Sequence, residues 1–400
     1  MSASARPPEV SADSNDAHWM RRAIGLAESV LYLTAPNPRV GCVIVRDGQV
    51  LGEGATQAVG GPHAEVMALR DMQARGHSAA GATVYVTLEP CSHHGRTPPC
   101  VDALIAARPA RVVVAMTDPN PLVGGKGLAR LRAAGIPVSA AVCAEAALAL
   151  NPGFVARMTR RTPWLWLKLA ASMDGRSALH NGASQWITGP AARADGHHWR
   201  ARSCVVLTGS GTVRIDNPQM NVRHVPTPRQ PIRAIVDTRL ETPEDARILD
   251  GGPVWIFTCH DDAAKARRLE ARNARVIVLP SVPSRPEAPN GNLRVDLAAM
   301  LRWMGEHDVN EVHAEPGSKL SGALLQSGCV DELLLYMAPV LLGDAQPMAR
   351  LPALQNLDDA RRFEFFEATP LAPDLRIRAR VTQNWRELLR CVQPPAGPGV

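Results

Sequence analysis

The sequence predicts two α/β domains in tandem, on three observations. Its 400 residues are long for one core and suit two. Short apolar runs alternate with stretches of helical periodicity, the pattern of strands connected by helices. Residues with chemical potential gather in two sets, one before residue 130 and one after residue 160.

Composition narrows the class. Hydrophobic residues at 46% with 20% charged describe a globular chain, and no apolar run approaches the roughly 18 residues of a membrane span. Residues 1–16 lack the basic-then-apolar pattern of a signal peptide and read as a disordered leader. Eight scattered cysteines suit metal-ligating thiols in a reducing cytoplasm better than a disulfide framework. The net charge of +6 is spread without a basic run, and aromatics are only 4%, so nucleic acid is disfavoured against an anionic small molecule. No membrane partner is expected.

The first domain is expected over residues 17–158. Ala23, Leu26, Ala27 and Val30 stand at helical spacing within 18–31. Residues 40–45 form an apolar strand, and Asp47-Gly48 is a hairpin turn into 50–51. A helix opens at His63, after Pro62, and runs to about residue 75. Because residues two apart cannot share a face in mid-helix, His63 and Glu65 must lie in its first turn. A strand over 83–88 follows. Pro98-Pro99 then lead into a helix from Cys100 to about 107, placing that thiol where the helix dipole favours thiolate. A strand over 111–116 and a helix over 125–134 complete the three-layer pattern.

The second domain is expected over 159–385. Residues 162–170 read as a central strand with Lys168 inside it, and a buried ammonium there needs a carboxylate or a ligand oxygen. Residues 205–213 run from a strand through a glycine turn into a helix. No Gly-x-Gly-x-x-Gly fingerprint exists, which argues against a Rossmann domain. Strands are expected at 232–236, 254–258, 333–337 and 375–381, and a helix from about 320. Residues 281–292 read as a Pro-rich surface loop and 386–400 as a loose tail.

The most specific motif is His63-Ala64-Glu65 with Pro90-Cys91 and Cys100. One imidazole and two thiolates leave the fourth tetrahedral position of a zinc ion to water, the ligand count of a catalytic site, and Glu65 is the carboxylate that moves a proton. This is the signature of zinc-dependent base deaminases, except that eight residues rather than two separate the cysteines. A closed structural zinc would need a fourth ligand, which His93 or His94 could supply.

TAPNPRVGCVIVRDG, GPHAEVMAL, VTLEPCSHHGRTPPC and DPNPLVGGKG together resemble the deaminase half of the bifunctional deaminase/reductases of riboflavin biosynthesis. The long gap matches that family's form of the motif. The resemblance implies a cytidine-deaminase-like α/β/α domain, one zinc on His63, Cys91 and Cys100, and Glu65 as proton shuttle. Asn37, His93, Arg96, Asp118 and Asn120 would surround the pyrimidine and its ribose phosphate; Asn37 and the Asp118–Asn120 segment could otherwise be turn residues. Thr56 stands where the family commonly has histidine.

LKLAASMDGR, SQWITG, LTGSGTVRIDNP, PIRAIVDTR, AEPGSKLSGALL and VDELLLYMAPVLLG resemble the reductase half, a dihydrofolate-reductase-like domain using NADPH. The resemblance implies cofactor contacts at Ala170, Trp186, Thr212, Asp216, Thr238, Gly317, Ser318, Lys319, Leu320, Ser321 and Gly322. It implies substrate contacts at Lys168, Ser184, Arg200, Met220, Arg223 and Glu315, with Lys168, Asp216 and Glu315 catalytic and Arg200 and Arg223 clamping a phosphate. Departures fall at Asn217, Asn221, Pro316 and Val340. The expected reaction sequence is deamination of a phosphorylated 2,5-diaminopyrimidine, then reduction of its ribosyl to a ribityl chain, in a homo-oligomer of two or four copies. Rival readings are a tRNA or mononucleotide deaminase with an appended domain, a deaminase with a non-catalytic scaffold domain, and a non-enzymatic zinc module.

Overall fold

The computed structural model describes residues 14–93, 98–121, 123–283 and 293–394. They fall into two compact units: Met1–Asn151 with Leu388–Val400, and Pro152–Glu387.

The first unit begins with α1 (Ser14–Ser29), β1 (Gly41–Arg46), β2 (Gln49–Ala55) and α2 (Ala64–Ala74). It continues with β3 (Thr83–Val86), α3 (Cys100–Ala107), β4 (Arg111–Val114), α4 (Lys126–Ala133), β5 (Val138–Ser139) and α5 (Ala144–Leu150). The strand order is β2-β1-β3-β4-β5, antiparallel on both sides of β1 and parallel from β3 to β5. Asp47 and Gly48 both have positive φ, as a two-residue hairpin of this hand requires. Gly54 lets α2 lie close on β2, since a Cβ there would stand 2.4 Å from the Ala68 backbone nitrogen. Ser14–Asp16 belong to α1 rather than to the expected leader. The reason is Asp16, a buried carboxylate that accepts the Tyr85 hydroxyl at 2.8 Å and pairs with Arg111.

The second unit opens with α6 (Pro152–Arg160), β6 (Trp164–Ser172), β7 (Arg176–Ala178), α7 (Pro190–Arg202), β8 (Val205–Gly209) and α8 (Ser210–Asp216). Then come β9 (Ile232–Val236), β10 (Val254–Thr258), α9 (Ala263–Glu270), β11 (Ala274–Val278) and the pair β12 (Ser281–Pro283) and β13 (Leu293–Val295). It closes with α10 (Leu297–Glu306), β14 (Glu311–Ala314), α11 (Ser318–Gln326), β15 (Glu332–Ala338), β16 (Gln346–Pro347), β17 (Glu364–Leu371), β18 (Asp374–Arg380) and the start of α12 (Thr382–Cys391), whose residues from Leu388 on belong to the first unit. The main sheet is ordered β11-β10-β9-β8-β14-β6-β15-β18-β17. Its first seven strands are parallel and β18 and β17 are antiparallel. The near-continuous apolar runs in β6, β8 and β10 fit a sheet covered on both faces.

Three expectations are corrected here. The second unit starts at Pro152, not 159, because α6 buries Val155 and Ala156 and Gly153 packs on the Asn310 backbone of the same unit. The expected loop over 281–292 contains β12, which pairs with β13; residues 284–292 lie outside the described residues. The first part of the expected loose tail is helical: α12 runs to Cys391 and buries Trp385 and Leu388, with Val392 buried just beyond it, while residues 395–400 lie outside the described residues.

Candidate active sites

In the first unit, α2 and α3 bring the metal motif together by their N-termini. His63 is the extended N-cap of α2, Glu65 is the second residue of the helix, and Cys100 opens α3. His63 Nδ1 lies 3.6 Å from Cys91 Sγ and 3.3 Å from Cys100 Sγ, and the three ligand atoms are all within 4.8 Å of one another. Nitrogen and sulfur ligands on a tetrahedral zinc with ordinary bond lengths stand about 3.5 Å apart, so the donor set fits that ion. It is the only such cluster among the described residues. A hydrogen bond with the Cys100 thiol holds Cys91 down at about 4, while Cys91 and burial push Cys100 up. Glu65 is buried beside them, and burial raises its carboxyl to about 7.

Asp118 and Asn120 follow β4, at the carboxyl end of a parallel strand, where α/β sheets bind ligands. Asn120 N–H donates to Asp118 Oδ1 at 2.8 Å. Burial, with Glu89 nearby, raises the Asp118 carboxyl to about 6. Asn37 lies in a turn before β1, its N–H donating to the Thr34 carbonyl at 2.8 Å. His93 is exposed, and Arg96 lies outside the described residues. Thr56 is buried, with its hydroxyl on the Val40 carbonyl.

Glu89 organises this region and was not singled out from the sequence. It is buried, and its Oε2 accepts the N–H groups of Asp118 at 3.0 Å and Gly125 at 2.9 Å. Its Oε1 accepts those of Gly127 at 2.8 Å and Leu128 at 3.3 Å, so one carboxylate caps α4 and ties it to the Asp118 loop. A carboxylate closing an apolar strand directly before Pro90-Cys91 was the available signal.

In the second unit, Lys168 on β6 and Glu315 just after β14 reach the same sheet end. Lys168 Nζ lies 3.9 Å from Glu315 Oε2 and 5.7 Å from the Tyr336 ring centroid. Burial lowers the Lys168 ammonium, opposed by Glu315. Burial would raise Glu315, but Arg200, His313 and Lys168 outweigh it and hold the carboxyl well below its usual range. The lysine has thus found the carboxylate that its place in an apolar strand demanded.

Arg200 departs from expectation. Both sides of its guanidinium fork are committed, Nε and Nη2 to Glu315 and Nη1 to the Asn221 carbonyl at 3.0 Å. It clamps the Glu315 carboxylate and also lines the cavity. Arg223 is exposed and is the freer cation; its N–H donates to His197 Nδ1 at 3.0 Å. Asn217, a departure from the family pattern, takes a left-handed backbone that asparagine tolerates, and its Oδ1 accepts the Arg247 N–H at 2.8 Å.

These residues line a cavity of about 1760 Å³. Its wall includes Lys168, Ala170, Ser184, Trp186, Arg200, Thr212, Asp216, Met220, Arg223, Thr238, Glu315 and Gly317, Ser318, Lys319 and Leu320. Ser321 and Gly322 are not part of it. Ser321 is buried, and a Cβ on Gly322 would stand 1.9 Å from the Arg350 carbonyl oxygen. Asp216 is on the wall but forms no ion pair with Lys168 among the described residues. Ten lysines and arginines face four carboxylates across the cavity, a balance suited to phosphate-bearing ligands. Arg214, Arg239, Arg247 and Arg350 among them were not foreseen. Gly317 N-caps α11 with no side-chain cap, and the space beside Gly211 is open, so backbone can approach a dinucleotide phosphate there.

Comparison with known proteins agrees with both sites. The chain matches the RibD C-terminal domain over residues 163–377 and the cytidine and deoxycytidylate deaminase zinc-binding region over 13–116. It is 45% identical over 374 residues to the riboflavin biosynthesis protein RibD of Escherichia coli, covering 90% of this chain and 98% of that one. The structure of Acinetobacter baumannii RibD, form 1, superposes with TM-score 0.82 at 41% identity, covering 92% of this chain and 99% of that one. A Thermotoga maritima diaminohydroxyphosphoribosylaminopyrimidine deaminase/5-amino-6-(5-phosphoribosylamino)uracil reductase superposes with TM-score 0.80 at 31% identity, covering 91% and 98%.

Proposed function

The chain belongs to the RibD family of riboflavin biosynthesis proteins, and on that premise we propose how its two units divide the work. The first unit deaminates diaminohydroxyphosphoribosylaminopyrimidine. The second reduces the ribosyl of 5-amino-6-(5-phosphoribosylamino)uracil to a ribityl chain with NADPH. The observation that carries the reading is the close grouping of His63, Cys91 and Cys100 around a buried Glu65.

His63, Cys91 and Cys100 would hold zinc, which would supply the Lewis acidity that makes water a nucleophile at neutral pH. Glu65 is the carboxylate placed to take up the proton of the attacking water and return it to the departing amine. Asp118 and Asn120, at the end of β4, hold polar edges of the pyrimidine, with Asn37, His93 and Arg96 completing its surroundings. Replacing Glu65 with glutamine is expected to cut ammonia release by at least about a thousandfold while one zinc per chain is retained. Ammonia release at the wild-type rate from E65Q overturns the mechanism.

In the second unit NADPH supplies hydride when bound. Thr212, Thr238 and the N-terminus of α11 support its phosphates, and Trp186 and Ala170 its ring. Glu315, locked by Arg200, orients the Lys168 ammonium toward the sugar carbon, where the lysine balances charge and can give a proton. Arg223 is the cation left to meet the substrate phosphate. Asp216, Ser184 and Met220 shape the remaining wall.

No helix among the described residues is long and apolar enough to cross a membrane. Eight cysteines without disulfides support a reducing, cytoplasmic setting. An assembly of two or four copies belongs to the reading on family resemblance, with sedimentation velocity as its check.

A further inference from the structure

We propose that residues 388–393, at the end of α12 and just beyond it, are a positioning element of the deaminase site, acting through the backbone of Thr117. The proposal rests on the assignment of Asp118 and Asn120 to the pyrimidine. The segment lies outside both matched family regions, 13–116 and 163–377. It nonetheless belongs with the first unit, where Leu388 is 2% and Val392 0% exposed. Leu388 is in the last turn of α12, and Val392 follows in a turn whose N–H donates to the Leu389 carbonyl.

The decisive contact is main chain to main chain. Thr117 N–H donates to the Val392 carbonyl at 2.9 Å. Thr117 directly precedes Asp118, and it is buried, so its amide needs an acceptor. The sheet cannot supply one. β4 ends at Val114, and the last amide it gives to β3 is that of Ala115, on the Val86 carbonyl. Thr117 lies beyond this ladder, and its amide goes to Val392. The following amide, that of Asp118, goes to Glu89. Successive amides at the mouth of the site are therefore held from two directions, by Glu89 and by the C-terminal segment. With Val392 gone, the Thr117 amide loses its acceptor while the Glu89 carboxylate still holds the Asp118 amide.

Two shortened chains test this, one ending at Glu387 and one at Gln393. The first is expected to show about tenfold faster hydrogen exchange at the Thr117 amide and about tenfold higher KM for the diaminopyrimidine substrate, the effect of one lost buried hydrogen bond. Its zinc content and NADPH oxidation on the deaminated substrate should stay within about twofold of the full chain, since neither is held by the segment. The chain ending at Gln393 should match the full chain throughout. An unchanged KM despite faster exchange at Thr117 overturns the proposal. So does zinc loss with faster exchange throughout β3 and β4, which makes the segment general cover rather than a positioning element. Asp118→Asn in the full chain separates the premise: a KM unmoved by it removes the substrate assignment whatever the exchange data show.

Discussion

Two carboxylates, Glu65 and Glu315, are driven in opposite directions by their neighbours. Glu65 is buried beside a cysteine sulfur and is raised to about 7; Glu315, half-buried against Arg200 and Lys168, is held well below its usual range. The same logic sets His197. Burial, with Arg200 and Arg223 close by, holds its imidazole at about 4, so at neutral pH Nδ1 is free to accept the Arg223 amide. The sign follows from proton counting. Between about pH 6.5 and 4 the unfolded chain binds a proton that the folded chain refuses, so folding stability falls as pH drops through that window. His197→Gln keeps an acceptor and removes the titration. Urea unfolding of the second unit should therefore lose less stability between pH 7 and 4.5 in H197Q than in wild type, and equal losses would refute the assignment.

Among elements, α4 and the loop before it depend on a residue from another strand end. Glu89 satisfies four backbone amides, and Gly127 must be glycine because a Cβ would stand 2.2 Å from the Pro90 carbonyl oxygen. Glu89→Ala strands those amides in a buried setting. We expect the first unit to lose roughly 3 kcal/mol or more in denaturant titration, with E89Q losing less because it keeps an acceptor oxygen. Equal stability of E89A and wild type would remove Glu89 from its structural role. The sequence marked α3 to the residue, since Pro98-Pro99 and Cys100 punctuate it. It did not reveal α12: its buried apolar positions, Trp385 and Leu388, are sparse and gain meaning only from what they pack against.

For the whole molecule, the division into two units predicts separable chemistry. Dialysis against a zinc chelator is expected to abolish ammonia release while NADPH oxidation on the deaminated substrate persists within about twofold, because no metal-ligating cluster occurs in the second unit among the described residues. Parallel loss of both activities would contradict the division. The sequence by itself determined the α/β class, the candidate metal cluster of His63, Cys91 and Cys100 with Glu65 beside it, and the need of Lys168 for a carboxylate. Those conclusions rest on ligand chemistry, local helix starts and the cost of an unpaired charge, all properties of short segments. Only the tertiary structure decided that Arg200 pairs with Glu315, that Glu89 ties a loop to a helix, and that Val392 returns to Thr117. Each of these joins residues 29 or more positions apart, and a hydrogen bond at that range leaves no periodic trace in the chain.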